Sequence, residues 1–245
     1  MTSILFAAVL LAAQNVPAPK PGPEVEALEK FKSAYKSKDA SDRAAAVAEL
    51  AKTPHEKVVA TLAALLGVDD VTVRIAAAKG LGAATGDYRK KASTALTRGF
   101  GPNAGQPLVS AALVEALESI QIGLGLATVK ALLRSMDTAT SRAAIEAAGQ
   151  VRDKSFISPL IDHARFLEAA SREATNVGPN GRTVTGGGLP FVGGTAGDPD
   201  APKRARLLVP LIYQSLASIT RQEFRTVVGW QEWWKKNEAD FSVPK

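Results

Sequence analysis

The chain has no cysteine, two histidines and two methionines, and aromatic residues make up 6% of its 245 positions. Without cysteine there is no disulfide, no zinc–thiolate or iron–sulfur site and no thiol nucleophile. Nor is there an apolar run long enough to cross a membrane. The stretch "ILFAAVLLAA" at residues 4–13 covers ten positions, and ten residues of helix rise only about 15 Å, half a bilayer core. Neither sign of charge dominates: 30 Lys and Arg are interspersed with 24 Asp and Glu, giving +6. That excess permits an anionic partner without demanding one.

The motifs of common chemistries are missing as well. The glycines of "NVGPNGRTVTGGGLPFVGGTAGDPDAPK" do not run into a helix start, and no Gly-Lys-Ser/Thr follows them, so no phosphate cradle forms. Asp198 and Asp200 echo the opening of a calcium loop, but Pro202 and Lys203 stand where further ligands belong. His55 and His163 lack acidic partners at ligand spacing and read as surface residues. No serine sits in a nucleophile elbow, and no pair of acids stands apart from surface carboxylates. The expectation is a protein that is not an enzyme and holds no metal or cofactor.

What the chain has in abundance is short, alanine-rich helix. Residues 4–13 have the length of a secretory h-region, with Ala13 a small residue at the scissile position. Residues 1–13 are therefore expected to be a signal peptide of an exported protein, atypical in lacking Lys or Arg before the apolar run, with a Pro-rich tether at 14–23. "EVEALEKFKSAY" puts Leu28, Phe31 and Tyr35 on one helical face, a lead-in helix with Pro23 in its first turn. Helical pairs follow to residue 175. "SDRAAAVAELA" precedes "TPHEKVVATLAALLG", where Thr53, Pro54 and Glu56 read as a capping box. "VTVRIAAAKGLGAA" precedes "YRKKASTALTRG", with Asp87 as cap. "QPLVSAALVEALESI" precedes "LATVKALLRSMD", and "TSRAAIEAAGQV" precedes "LIDHARFLEAAS". Arg74 lies 31 positions after Arg43, and Arg142 a further 68 after Arg74, about two periods of one hairpin each.

A hairpin of small residues cannot bury its apolar face alone, so such units stack and share a core, with Ala and Gly allowing close approach of the axes. The arginine opening each first helix is expected to pack its stem on a neighbour and keep its head in water. Residues 176–203 break the pattern as a Gly-rich loop, flexible or binding. Helix resumes at residue 204, where Pro210 implies a kink or a late start. Thr220 and Glu223 form a second capping-box pattern, and Trp230, Trp233 and Trp234 at i, i+3 and i+4 cap the last unit.

These units resemble HEAT repeats. Val73, Arg74, Ala77, Ala78, Leu81 and Gly82 match that pattern, as do Arg142, Ala144, Ile145, Ala148, Gly149, Asp153, Pro159, Leu160 and Ile161. Arg43, Ala46 and Leu50 match in part, while the third unit departs, with Pro107 and Leu108 where an arginine belongs. The resemblance implies an all-α, right-handed α-solenoid of about five stacked hairpins whose second helices line a concave face. On those helices lie Lys57, Arg89, Lys90, Lys91, Lys130, Arg134, His163 and Arg165. With Leu189 and Phe191 of the loop, these cationic side chains are the candidate partner-binding set. The expected function is a scaffold for another protein, through an acidic segment of it. The alternative is a polyanion- or glycan-binding module that uses the basic stripe and the tryptophans. Nucleic acid fits poorly, because no aromatic stacking platform is interleaved with the cations.

Overall fold

The first helices of the successive pairs pack directly on one another, and this contact organises the molecule. The computed structural model describes residues 22–175 and 199–244. Within them are α1 (Pro23–Ala34), α2 (Ala40–Leu50), α3 (Glu56–Leu65), α4 (Val71–Gly82), α5 (Tyr88–Arg98) and α6 (Pro107–Ile120). Then come α7 (Leu124–Leu133), α8 (Thr138–Val151), α9 (Ile157–Thr175), α10 (Ala201–Thr220) and α11 (Val227–Asn237), and there is no strand among the described residues. Helix α2 packs on α4, α4 on α6, α6 on α8 and α8 on α10. Each second helix leans on the first helix that follows it: α3 on α4, α5 on α6, α7 on α8 and α9 on α10. The lead-in helix α1 covers α2 and α3. The fold is all-α, a solenoid of five hairpins and a lead-in helix, as the period required.

Small side chains set the spacing of the first layer. Ala77, Ala78, Ala112, Ala116, Ala143, Ala144, Ala147 and Ala148 are all buried in one continuous core. A methyl group added at Gly82 would lie 2.8 Å from the Ala116 Cα, and one at Gly149 would lie 2.7 Å from the Ser215 hydroxyl. Alanine buries little area per residue. The layer recovers cohesion through contact density, since well-packed atoms at van der Waals distance each add a little dispersion energy.

The junctions between units are tied along one edge. Arg43 donates to the Asp69 carboxylate from Nε (3.1 Å) and Nη2 (2.8 Å), and the Tyr35 hydroxyl donates to the same carboxylate. Arg74 donates from Nε to the Asp69 carbonyl (2.6 Å) and from Nη1 to Asn103 Oδ1 (3.1 Å). The buried Asn103 amide donates in turn to the Leu66 and Gly99 carbonyls. The Arg43 and Arg74 heads are thus bonded into the next junction, not left in water as expected, because a carboxylate or amide waits there for each one, whereas Arg142 pairs with Glu146 of its own helix and stays half-exposed. The Arg43 hydrogen bond holds the Asp69 carboxyl far below the usual carboxylate range against the opposing effect of burial. In unit three, which lacks the arginine, the tie runs the other way. Glu146 of α8 accepts from the Gly105 N–H (2.7 Å) and from Arg142 (2.8 Å).

The helix starts differ from the sequence expectation in several places. Helix α3 begins at Glu56, and its cap is His55, whose Nδ1 accepts from the Lys57 N–H at 3.2 Å; Thr53 lies too far upstream. Asp87 makes no capping bond, since its own backbone is already helical (φ −66°, ψ −18°) and its carboxylate cannot turn back. Aspartates cap first helices instead: Asp39, Asp70 and Asp137 accept from the N–H groups of Ser41, Thr72 and Thr140. Thr220 ends α10, and Thr226 caps α11. Helix α10 opens at Ala201, with Pro202 in its first turn, so Pro210 lies inside it and the helix starts three residues earlier than anticipated.

Candidate protein-interaction surface

The second helices carry the basic candidates, and the fold sorts them by what they touch. Lys57 (α3), Lys90 (α5) and Arg134 (at the end of α7) are exposed and make no side-chain hydrogen bond or ion pair among the described residues. Lys91 is turned onto Glu56 of α3 at 2.6 Å. Arg165 lies 3.7 Å from Asp162, one turn back on α9. The Lys130 ammonium sits 5.9 Å from the centre of the Phe156 ring. Arg89 reaches across to α6 and donates to the Ile120 carbonyl, one of the unpaired carbonyls at that helix's end. Leu189 and Phe191 lie outside the described residues, as do residues 1–21.

His163 does not belong to this surface. It is 2% exposed and faces inward beside Leu160 and Ala164. Its Nε2 is 3.3 Å from the Ser141 hydroxyl, which itself donates to the Leu133 carbonyl at 2.5 Å. With the serine proton committed there, Nε2 carries the imidazole hydrogen. Burial first, then the positive charges of Arg134 and Arg204, push its pKa down to about 4. Ser141 is fully buried as well, so the pair lies inside the core, where the His163 Nδ1 has no hydrogen-bond partner among the described residues.

Arg89, Lys90, Ser93, Ile120, Gln121 and Leu124 line an open cleft of about 470 Å³ between α5 and the turn joining α6 to α7. That turn is firmly held. Glu118 accepts from the Gly123 N–H (2.5 Å) and the Leu126 N–H (3.0 Å), while Gly123 takes a left-handed conformation (φ 81°). Its central residue, Ile122, is 94% exposed. Sequence reading missed this side chain, because nothing in the apolar pattern distinguishes a turn isoleucine aimed outward from one that caps the core.

The tryptophans pack on one another. Trp230 is buried, and its indole N–H donates to the Phe224 carbonyl at 3.1 Å. Trp233 meets Phe241 edge-on with ring centres 5.6 Å apart, and Trp234 meets it at 5.8 Å. The chain end then runs back over unit four, where Lys154 and Arg152 donate to the carbonyls of Glu238 (2.7 Å) and Pro244 (2.8 Å). The rings thus close the last unit of the array. No group of His, Asp and Glu suited to a metal occurs among the described residues, and none of their helices is long and apolar enough to cross a membrane.

No curated protein and no solved structure matches the chain. The family model of HEAT repeats matches residues 28–118, from the lead-in helix into α6. Beyond that span α6, α8 and α10 continue the same first-helix packing, and Arg142 reappears where Arg43 and Arg74 stand in earlier units, so residues 28–118 are HEAT repeats and the described helices after them extend the same array.

Proposed function

We propose that this protein is a non-catalytic scaffold that binds another protein through its second-helix face. HEAT repeats generally serve as protein-interaction scaffolds. The observation that carries the reading here is the set of exposed, unpaired cations, Lys57, Lys90 and Arg134, on successive second helices. Long-range attraction from such charges steers an acidic partner, and rigid backbone beneath them limits the entropy lost on docking. Residues 1–13 act as a signal peptide in this proposal, so the partner is met in the cell envelope or outside the cell.

The test is affinity capture from a native envelope extract with increasing salt, using the chain from residue 14 as bait. A discrete protein retained above physiological ionic strength supports a scaffold. Retention of mixed anionic material only at low salt would favour the alternative, a polyanion-binding module held by charge alone.

A further inference from the structure

The geometry points to the cleft between α5 and the α6–α7 turn as a site for an acidic segment of a partner protein. One carboxylate would pair with Arg89 and Lys90, and an adjacent apolar side chain would pack on Ile122 and the exposed part of Leu124. This rests on the scaffold reading and deepens it.

Arg89 is already positioned: one guanidinium N–H is fixed on the Ile120 carbonyl, which holds the side chain along the cleft. A guanidinium has five N–H donors in a planar fork, so the remaining ones are free to bind a carboxylate, the geometry in which Arg binds most strongly. Lys90, one position on, is exposed and has no acid of its own. The nearby carboxylates are engaged elsewhere. Glu118 spends both oxygens on N–H groups at the start of α7, and Glu56 takes Lys91 away from the cleft. The lining therefore holds two cations and no carboxylate.

The apolar half has equal definition. Ile120 and Leu124 line the cleft, and the exposed Ile122 sits beside it on a turn closed by the Gln121 N–H to the Leu117 carbonyl and the Leu124 N–H to the Gln121 carbonyl, both 3.0 Å. An almost fully exposed isoleucine on a pre-ordered turn costs little ordering entropy when covered, as interface anchors require. A volume near 470 Å³ accommodates side chains of one segment, not a folded element.

The experiment is a ¹⁵N–¹H titration of the whole chain with a short peptide in which Glu alternates with Leu, run beside its Gln-for-Glu twin. Saturable shifts of the amides at 89–93 and 121–124 are expected. The Gln peptide should bind at least about tenfold more weakly, the usual worth of a charge-assisted bond pair. Arg89→Ala also cuts a tie between α5 and α6, so Lys90→Glu is the variant that leaves packing intact. It should abolish binding without altering the spectrum elsewhere, and Ile122→Ser should weaken binding severalfold. Equal affinity for the two peptides, unchanged binding by Lys90→Glu, or no shifts at these amides up to about 1 mM peptide (weaker than any anchored contact) would overturn the site. Shifts centred on Lys57 or Arg134 instead would remove the cleft but leave the scaffold. Cleft binding by the peptide, with no protein captured from extract, would remove the scaffold reading alone.

Discussion

Acidification should weaken this protein in a way traceable to His163. The imidazole is buried and neutral, with a pKa of about 4 in the fold against 6.5 when free. The unfolded chain therefore binds a proton that the native state refuses. As pH falls through the window from about 6.5 to about 4, the unfolded state is favoured, with a slope of up to about 1.4 kcal/mol per pH unit. From about pH 7 to about pH 4.5 the loss integrates to about 2 kcal/mol. His163→Leu removes the titration and leaves the Ser141 bond to the Leu133 carbonyl in place. Any fixed cost of that substitution cancels when each protein is compared with itself at the two pH values. Urea unfolding followed by far-ultraviolet circular dichroism should show the parent losing about 2 kcal/mol more than the variant, roughly a 1 M difference in midpoint shift. Parallel losses in both proteins would refute the reasoning, because they would mean that the imidazole accepts its proton equally well in the folded state.

Three further substitutions test the packing. Asn103→Ala strips the donor from the Leu66 and Gly99 carbonyls and the acceptor from Arg74; a cost of about 2–4 kcal/mol in chemical denaturation is expected from two orphaned buried groups. Gly82→Ala should destabilise by about 1–3 kcal/mol although alanine is the better helix former by about 1 kcal/mol, because the new methyl group meets the α6 backbone at Ala116. A raised melting temperature would refute close contact of α4 and α6 at this seam. Phe241→Ala should cost about 1–2 kcal/mol, less than a full core deletion because the ring is half-buried, and should red-shift tryptophan emission as Trp233 and Trp234 lose their cover.

Period and residue size were enough to reveal the fold. An Arg recurring at one and then two periods of thirty-odd positions, with alanine runs behind it, leaves few ways to bury an apolar face, and stacked hairpins are the answer. Caps were harder, because a cap depends on which residue is the last to keep an extended backbone. Thr53 and Asp87 carry suitable side chains, yet His55 is the residue with extended backbone before α3, and Asp87 is already helical. Of the cations, Arg165 beside Asp162 shows its pairing at i, i+3 in the sequence. The Lys91–Glu56 pair spans two helices and 35 positions, and only the stacking brings it together. The inward turn of His163 was legible after all. Leu160, Ala164 and Leu167 mark the apolar face of α9, and residue 163 falls between them on that face.

The departures from the repeat deserve more weight than the repeat itself when function is sought. Where units agree, their shared residues are consumed by stacking: the small side chains fill the first layer, and Arg43 and Arg74 are bonded into the next junction. A side chain used in this way has little left to offer a partner. Unit three breaks the rule at both edges. At the junction edge it lacks the arginine, and Glu146 reaches back to Gly105 to replace the tie. At the hairpin edge, Arg89 of the preceding unit clasps the end of α6, which opens the cleft beside it and leaves donors to spare. Beside this irregular unit, Lys90, the remaining donors of Arg89 and the exposed Ile122 are thus left without structural duty among the described residues. Exchanging unit three for a copy of unit two should therefore preserve folding and abolish binding of an acidic segment, whereas exchanging unit two for a consensus unit that keeps Arg89 and Lys90 should preserve both. Thermal melts and the peptide titration on the two chimeras distinguish these outcomes, and binding that survives loss of unit three would place the recognition surface elsewhere on the array.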